Sequence, residues 1–359
     1  MKRADRSLLT NWWFQIDWRI LGPIVIFSMI GLLMGINSVH LIDKWIVFYM
    51  AAATIFLFVP MINNKKTIIH LSVLLFVVCC VLLIMTYVDP RIIRGSNRWV
   101  HIFGLSLMPA DLLKPAFIVL TAWFINKVKS KADDFIGDAR LWKEGWWPAY
   151  LIIFFNLLAM MFFHPDLGNM FLYMMVFGIM LFWAGAKMKY AAIGGGILGV
   201  GVLASMMQPH FVRRIFGGGD DFQTAASLRA IRNGGLWGRN EESWLFQEVP
   251  MASTDFIFAG IAEMWGAVAA AAMIGLMMLF FFVLWRRAID IKDSFSSLVI
   301  IGAASIFAIH VVMNVLTGLG LFMKGTTLPF ISYGGSSLIS FSILFAFVLA
   351  LVRQDKWGQ

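Results

Sequence analysis

Ten stretches of this chain are apolar enough and long enough to cross a bilayer, and few folds can hold them. They run approximately over residues 20–39, 45–62, 68–88, 112–128, 147–163, 168–186, 190–207, 256–285, 295–316 and 336–352. Inside hydrocarbon the backbone must satisfy its own hydrogen bonds, which runs of this length do as α-helices. The sequence therefore predicts an all-α polytopic membrane protein of about ten transmembrane helices, one domain over residues 1–359. Its 60% apolar and 14% charged content excludes an ordinary soluble enzyme, a disordered chain and a coiled-coil array. An even number of spans puts both termini on one side. The first run is too long for a signal-peptide core and lacks a small-residue cleavage site. Cys79 and Cys80 are adjacent in an apolar run and cannot form an ordinary bridge.

The net charge is +9, from 29 Lys and Arg against 20 Asp and Glu. On a soluble chain that surplus would raise nucleic acid as a partner. Here it reads as orientation, because cytoplasmic loops collect Lys and Arg. One side holds the N-terminus, Lys65 and Lys66, the segment 127–143, Lys187 and Lys189, residues 286–292, and Arg353 with Lys356. That side is expected to be the cytoplasm. The other side carries Arg91, Arg94 and Arg98 in one loop and Arg213, Arg214, Arg229, Arg232 and Arg239 in another. Basic residues there work against the insertion bias, which points to an anion that they face. The competing reading is that a long loop translocates whatever its charge.

The long outer loop covers approximately 208–254, and its amphipathic run 222–231 suits a helix lying at the headgroup level. Asp255 closes this loop. As the partner of Thr254 it could simply cap the next helix; beside so many arginines it could equally serve as a general base. Glu263 lies eight residues on, which on a continuous helix shares a face with Asp255, and an intramembrane carboxylate is functional by default. Asp111 and Lys114 are three apart and can pair with each other or line a site. Asp166, in the turn 164–168, fits a helix cap. His310 and Asn314 share a face of the ninth span, where bonding between helices is enough to explain them. Lys324 opens a run rich in Gly, Pro and hydroxyls, 324–338. Irregular backbone at membrane depth survives only when packed in protein or lining a wet cavity, so this run is expected to be re-entrant.

Leu328-Pro-Phe-Ile-Ser-Tyr-Gly-Gly-Ser-Ser337 resembles the most specific signature of the SEDS family, the multi-spanning proteins that polymerise peptidoglycan. In family order it is joined by Asn97-Arg-Trp99, Pro109-Ala-Asp-Leu-Leu-Lys114, Pro165-Asp-Leu-Gly168 and Thr254-Asp-Phe-Ile-Phe258 with Ala262-Glu263. The similarity covers almost the whole chain. The N-terminal run from Trp12-Trp13 to Asp17, Asn314 before Lys324-Gly-Thr-Thr-Leu-Pro, and Ser337-Leu-Ile-Ser340 resemble the division-site branch more than the elongation branch.

This resemblance implies an inner-membrane glycosyltransferase of the division septum. It would join lipid II disaccharides by inverting transfer, with undecaprenyl pyrophosphate as leaving group. Asp255 matches the family's base. Arg98 and Lys114 match basic positions tied to pyrophosphate or the central cavity, and Asp111, Glu263, Lys324 and Ser336 complete the substrate-binding candidates. The implied partners are a class B penicillin-binding protein and other division membrane proteins, with no nucleic acid. No organic cofactor and no metal cluster is implied; a divalent cation is left open. Departures from the family pattern are Arg239-Asn-Glu-Glu-Ser-Trp244 in place of a glycine-rich run, Ser253 for His, His164 and Met108 for Gln, Asp111 for Glu, and Phe322-Met323 for Pro-Thr. They fall on the outer face, and they leave two alternatives standing: a lipid II flippase, and a catalytically degenerate scaffold for the transpeptidase.

Overall fold

The computed structural model describes residues 15–36, 42–88, 98–102, 105–129, 167–185, 221–239, 243–249, 252–321 and 325–357. The expected spans 147–163 and 190–207 fall outside these; each of the other eight coincides with a helix. In order these are α1 (Trp18–Ile36), α2 (Ile42–Phe58) and α3 (Lys65–Val88). A short hairpin follows, β1 (Val100–Ile102) and β2 (Leu105–Leu107), paired antiparallel with Val100 opposite Leu107. Next come α4 (Pro109–Leu112), α5 (Lys114–Lys129), α6 (Leu167–Trp183), α7 (Asp221–Gly234) and α8 (Trp244–Glu248). The chain closes with α9 (Ile257–Asp290), α10 (Ser294–Gly318) and α11 (Gly335–Trp357). Among the described residues, α1, α3, α9, α10 and α11 are long and apolar enough to cross a membrane, and α2 and α6 are shorter apolar helices.

Apolar surface gains nothing by leaving lipid for another helix, so packing geometry and polar bonds set the arrangement. α10 and α11 are enclosed along most of their length, whereas α3 is mostly exposed. At the centre, Phe280 of α9 meets Phe27 of α1 at 5.9 Å, Phe307 of α10 at 5.1 Å and Phe345 of α11 at 5.4 Å, edge-on or tilted. Such offset and edge-to-face pairs are the favoured aromatic contacts. The exposed side chains of α1, α3 and the second part of α9, such as Met29, Leu74, Met278 and Phe282, form the lipid-facing belt.

At one end, charged side chains cap helices and bind them together. Asp17 accepts the Arg19 N–H at 3.1 Å, capping α1. The same carboxylate pairs with Arg287 at the end of α9 (2.5 Å) and Lys356 at the end of α11 (2.9 Å). Asp293 caps α10 through the Ser296 N–H and pairs with Lys65 at 3.0 Å. Four of the lysine- and arginine-rich segments expected on one side thus meet at one end of the molecule. Burial raises the Asp17 carboxyl, but the Lys356 hydrogen bond and the Arg287 and Lys356 charges outweigh it and leave the group below its ordinary value. Its contribution is therefore complete above the ordinary value of 3.8 and is lost as pH falls through the lowered one. Asp17→Asn is expected to lose about 3 kcal/mol, near the lower end for a broken buried pair because Lys356 is 39% exposed. In thermal unfolding in detergent, the native protein should fall toward the variant below about pH 4.

Helix α9 is not continuous. Its 34 residues would reach about 51 Å, well beyond a hydrocarbon core of roughly 30 Å. Gly266 interrupts it at φ 86°, ψ 169°, a backbone region open to glycine. The break leaves N–H groups of the following turn without helical carbonyls, and a neighbouring turn supplies them. Ala267 N–H donates to the Gly235 carbonyl at 2.9 Å and Val268 N–H to that of Leu236 at 3.2 Å. In return Arg239 N–H donates to the Glu263 carbonyl at 3.2 Å. A Cβ on Gly238 or Gly266 would enter the facing backbone, so this junction requires both glycines.

Candidate functional site

Asp255 sits in the turn 252–256 that leads into the first part of α9. The cap position of α9 is Phe256, whose side chain makes no capping hydrogen bond. Asp255 is thus one residue ahead of the cap position rather than the cap residue itself. Because Asp255 precedes the helix, its eight-residue spacing to Glu263 also carries no shared face.

An irregular strap, residues 325–334, lies against this turn. Its start is so close that a Cβ on Gly325 would overlap the Asp255 side chain. Buried Asn314 of α10 joins the two segments, its amide donating to the carbonyls of Asp255 (3.1 Å) and Thr326 (2.6 Å). Ser332 donates to the Thr254 carbonyl at 2.7 Å and accepts the Leu328 N–H at 2.8 Å. Tyr333 N–H donates to the Ser253 carbonyl at 2.9 Å. His310 Nδ1 lies 3.0 Å from the Thr327 carbonyl. These bonds account for non-helical backbone inside a membrane protein, since nearly every strap polar group named finds a protein partner. Asn314→Leu would strand the carbonyls of Asp255 and Thr326, at about 1–3 kcal/mol each. The expected result is a lower melting temperature together with reduced activity while Asp255 is intact.

The strap is also held from its other side. Phe330 adopts φ 64°, a left-handed conformation that costs a non-glycine residue about 1–2 kcal/mol. Its ring packs on Phe341 and Phe345, and its carbonyl accepts the Tyr49 hydroxyl at 2.6 Å. A Cβ on Gly31 would collide with that hydroxyl and with the Phe330 and Ile331 carbonyls, so α1 needs glycine there.

The other candidates fall into two groups. Lys114 is fully buried, pairs with Asp111 at 2.7 Å and faces the Phe341 ring at 5.5 Å. Ser336 accepts the Met108 N–H at 2.8 Å, and Thr327 donates to neighbouring Ser337 at 2.7 Å. Through Phe341 and these hydroxyls the Asp111–Lys114 pair abuts the strap. Arg98 lies just before β1 and is half-buried. Glu263 is buried apart from them, where Oε2 accepts the Ser243 hydroxyl at 2.5 Å and the Leu245 N–H at 3.2 Å, tying α8 to α9. Lys324 and Asp166 lie outside the described residues. Gly325, Thr327 and Ser332 were not singled out in the sequence; their signal was membership of the Gly- and hydroxyl-rich run. A cleft of about 320 Å³ lies at the opposite end, between Trp183, Ala288 and Ser297, and touches none of these groups. Among the described residues no three His, Cys, Asp or Glu side chains gather as a metal site.

The strap thus lies over the aspartate turn at the end of the molecule remote from the cluster of Asp17, Arg287 and Lys356. The family described as "Cell cycle protein", FtsW/RodA/SpoVE, matches residues 9–357. The chain belongs to this family. Among FtsW/RodA/SpoVE relatives, "Probable peptidoglycan glycosyltransferase FtsW" of Caulobacter vibrioides is 26% identical over 98% of this chain and 93% of its own length. Stage V sporulation protein E of Bacillus subtilis is 31% identical, covering 80% of each chain. Of solved structures, Thermus thermophilus RodA superposes with a TM-score of 0.71 at 21% identity, covering 96% of this chain and 98% of RodA. A chain described under "Structural coordination of polymerization and crosslinking by a peptidoglycan synthase complex" reaches 0.75 at 21% identity, covering 95% and 99%. At that identity the two structures establish a shared fold, and the sequence matches establish the family. The chain is a multi-pass membrane protein of the FtsW/RodA/SpoVE family.

Proposed function

We propose that this chain is a peptidoglycan glycosyltransferase that polymerises lipid II during septal wall synthesis. Its family membership and the names of its FtsW relatives support the activity. The observation that carries the site is Asp255, set in a turn outside the helix and bracketed by the strap through Asn314 and Ser332. In this reading Asp255 accepts the proton of the acceptor sugar hydroxyl as that oxygen bonds the donor anomeric carbon. The bond from that carbon to phosphate breaks on the opposite face, and undecaprenyl pyrophosphate leaves with the electron pair. Inversion follows from the in-line displacement. Arg98 and Lys324 are the cations assigned to the leaving pyrophosphate, where fixed positive charge counts most as negative charge develops. Lys114 is too enclosed to be assigned the same contact; it positions Asp111 and Phe341 beneath the strap.

The chain acts as one domain with the long outer loop at approximately 208–254, and with both termini in the cytoplasm of a bacterial inner membrane at the septum. A class B penicillin-binding protein is its proposed partner, by analogy with the synthase complex whose fold it shares. The altered segment 239–244 favours a second reading, a scaffold without activity. Purified protein incubated with labelled lipid II and its transpeptidase separates these readings. Glycan strands with release of undecaprenyl pyrophosphate support the enzyme, and movement of lipid II across vesicles without strands supports a flippase. Neither product from an intact complex supports the scaffold.

A further inference from the structure

Helix α7 turns its small residues inward. Ala226 and Ala230 are buried, and Ser227 donates to the Gly318 carbonyl of α10 at 2.7 Å. Its opposite stripe exposes Phe222, Leu228, Arg229 and Arg232, and the turn that follows leaves Leu236 and Trp237 65% and 76% exposed. Two contacts fix the level of this surface relative to the bilayer. The Leu236 carbonyl accepts the N–H of Val268, which begins the lipid-facing side of α9. Gly320, whose Cβ would meet Thr224 and approach Leu228, follows Leu319. Leu319, the cap residue just past the end of α10, comes two turns after Val312, and both are exposed. The patch therefore continues the lipid-facing belts of α9 and α10 at their outer rim, and Leu321 extends it. A large apolar patch of this kind marks an interaction surface, and its continuity with the belt says which one.

We propose that residues 221–239 seat in the outer-leaflet interface of the membrane, with Leu228, Leu236, Trp237 and Leu321 at the acyl boundary. Arginine beside tryptophan and leucine on one exposed face is the composition of an interfacial helix on anionic lipid. Arg229 lies over the Trp244 ring at 5.8 Å, which leaves Arg232 as the main headgroup contact. The seat has a consequence for the neighbouring site. The same turn completes the broken α9, so membrane contact holds the short helix after Asp255 at the level of lipid headgroups. This placement does not depend on the proposed activity.

The test uses the full chain in nanodiscs, with Cys79→Ala and Cys80→Ala removing the native thiols. Nitroxide labels at Trp237→Cys and Leu321→Cys are compared with Phe282→Cys in the lipid belt and Asp290→Cys at the charged end. Collision with oxygen should exceed collision with a water-soluble nickel chelate at 237 and 321, several-fold beyond the ratio at 290 and below that at 282. A ratio matching 290 would overturn the proposal, and so would shielding from both reagents, as beneath a covering protein. Adding phosphatidylglycerol to phosphatidylcholine should move the 237 label deeper, and Arg229→Gln with Arg232→Gln should erase that shift. No response to lipid charge would overturn the anionic-lipid assignment. Size-exclusion profiles identical to the native protein show that these surface changes leave the fold intact.

Discussion

Gly325→Ala is expected to lower glycan polymerisation by about 100-fold, the cost of misplacing a reacting group by roughly 1 Å. The added methyl would overlap Oδ2, Cγ and Cβ of Asp255, so a rotamer change alone does not clear it. Either the aspartate turn or the strap must shift. The bonds from Asn314, Ser332 and Tyr333 resist that shift, because they tie the two segments at three points. The variant should still insert, fold and bind its partner, since the rest of the strap keeps its contacts with Tyr49, Phe341 and Phe345. A melting curve near that of the native protein with a collapsed polymerisation rate is the predicted combination. Unchanged polymerisation would mean that the position of the Asp255 carboxylate does not matter to the reaction.

Asp255→Asn should have the larger effect, a rate loss of about 100- to 10,000-fold, the usual contribution of a positioned general base. Asparagine keeps the shape and removes the proton acceptor. The carbonyl of residue 255 still receives the Asn314 amide, because that bond uses backbone. A fall in kcat with KM little changed would mark a role in the chemical step; a rise in KM alone would mark ground-state binding. The two substitutions address one carboxylate from its two sides. Because the groups touch, their double variant should lose little more than Asp255→Asn.

Much of this was legible in the sequence. Long apolar runs announce spans because a bilayer allows few alternatives, and the strap was legible as irregular backbone that must be packed. The i,i+3 spacing of Asp111 and Lys114 offered the pair that the structure contains. His310 and Asn314, on one face, were readable as bonding partners, although what they bond to was not. The break at Gly266 was hidden, because a glycine in an alanine-rich run looks like ordinary transmembrane sequence. Only the approach of Gly234 to Gly238 from 30 residues upstream reveals why the helix stops. The shared face of Asp255 and Glu263 fails for a different reason, because the helix starts only at Ile257 and Asp255 lies in the turn before it. The partners of Asp17 were hidden for a related reason: its cations lie about 270 and 340 residues away, beyond any local pattern. The hairpin strands are three residues each, too short for alternation to register.

The most direct test of the central claim is polymerisation of labelled lipid II by the purified native protein bound to its class B transpeptidase, beside the Asp255→Asn complex. Long glycan strands from the native complex, with none from a variant complex of equal assembly and melting temperature, are the predicted result. Equal strands from both would contradict the assignment of Asp255 as the base of this reaction.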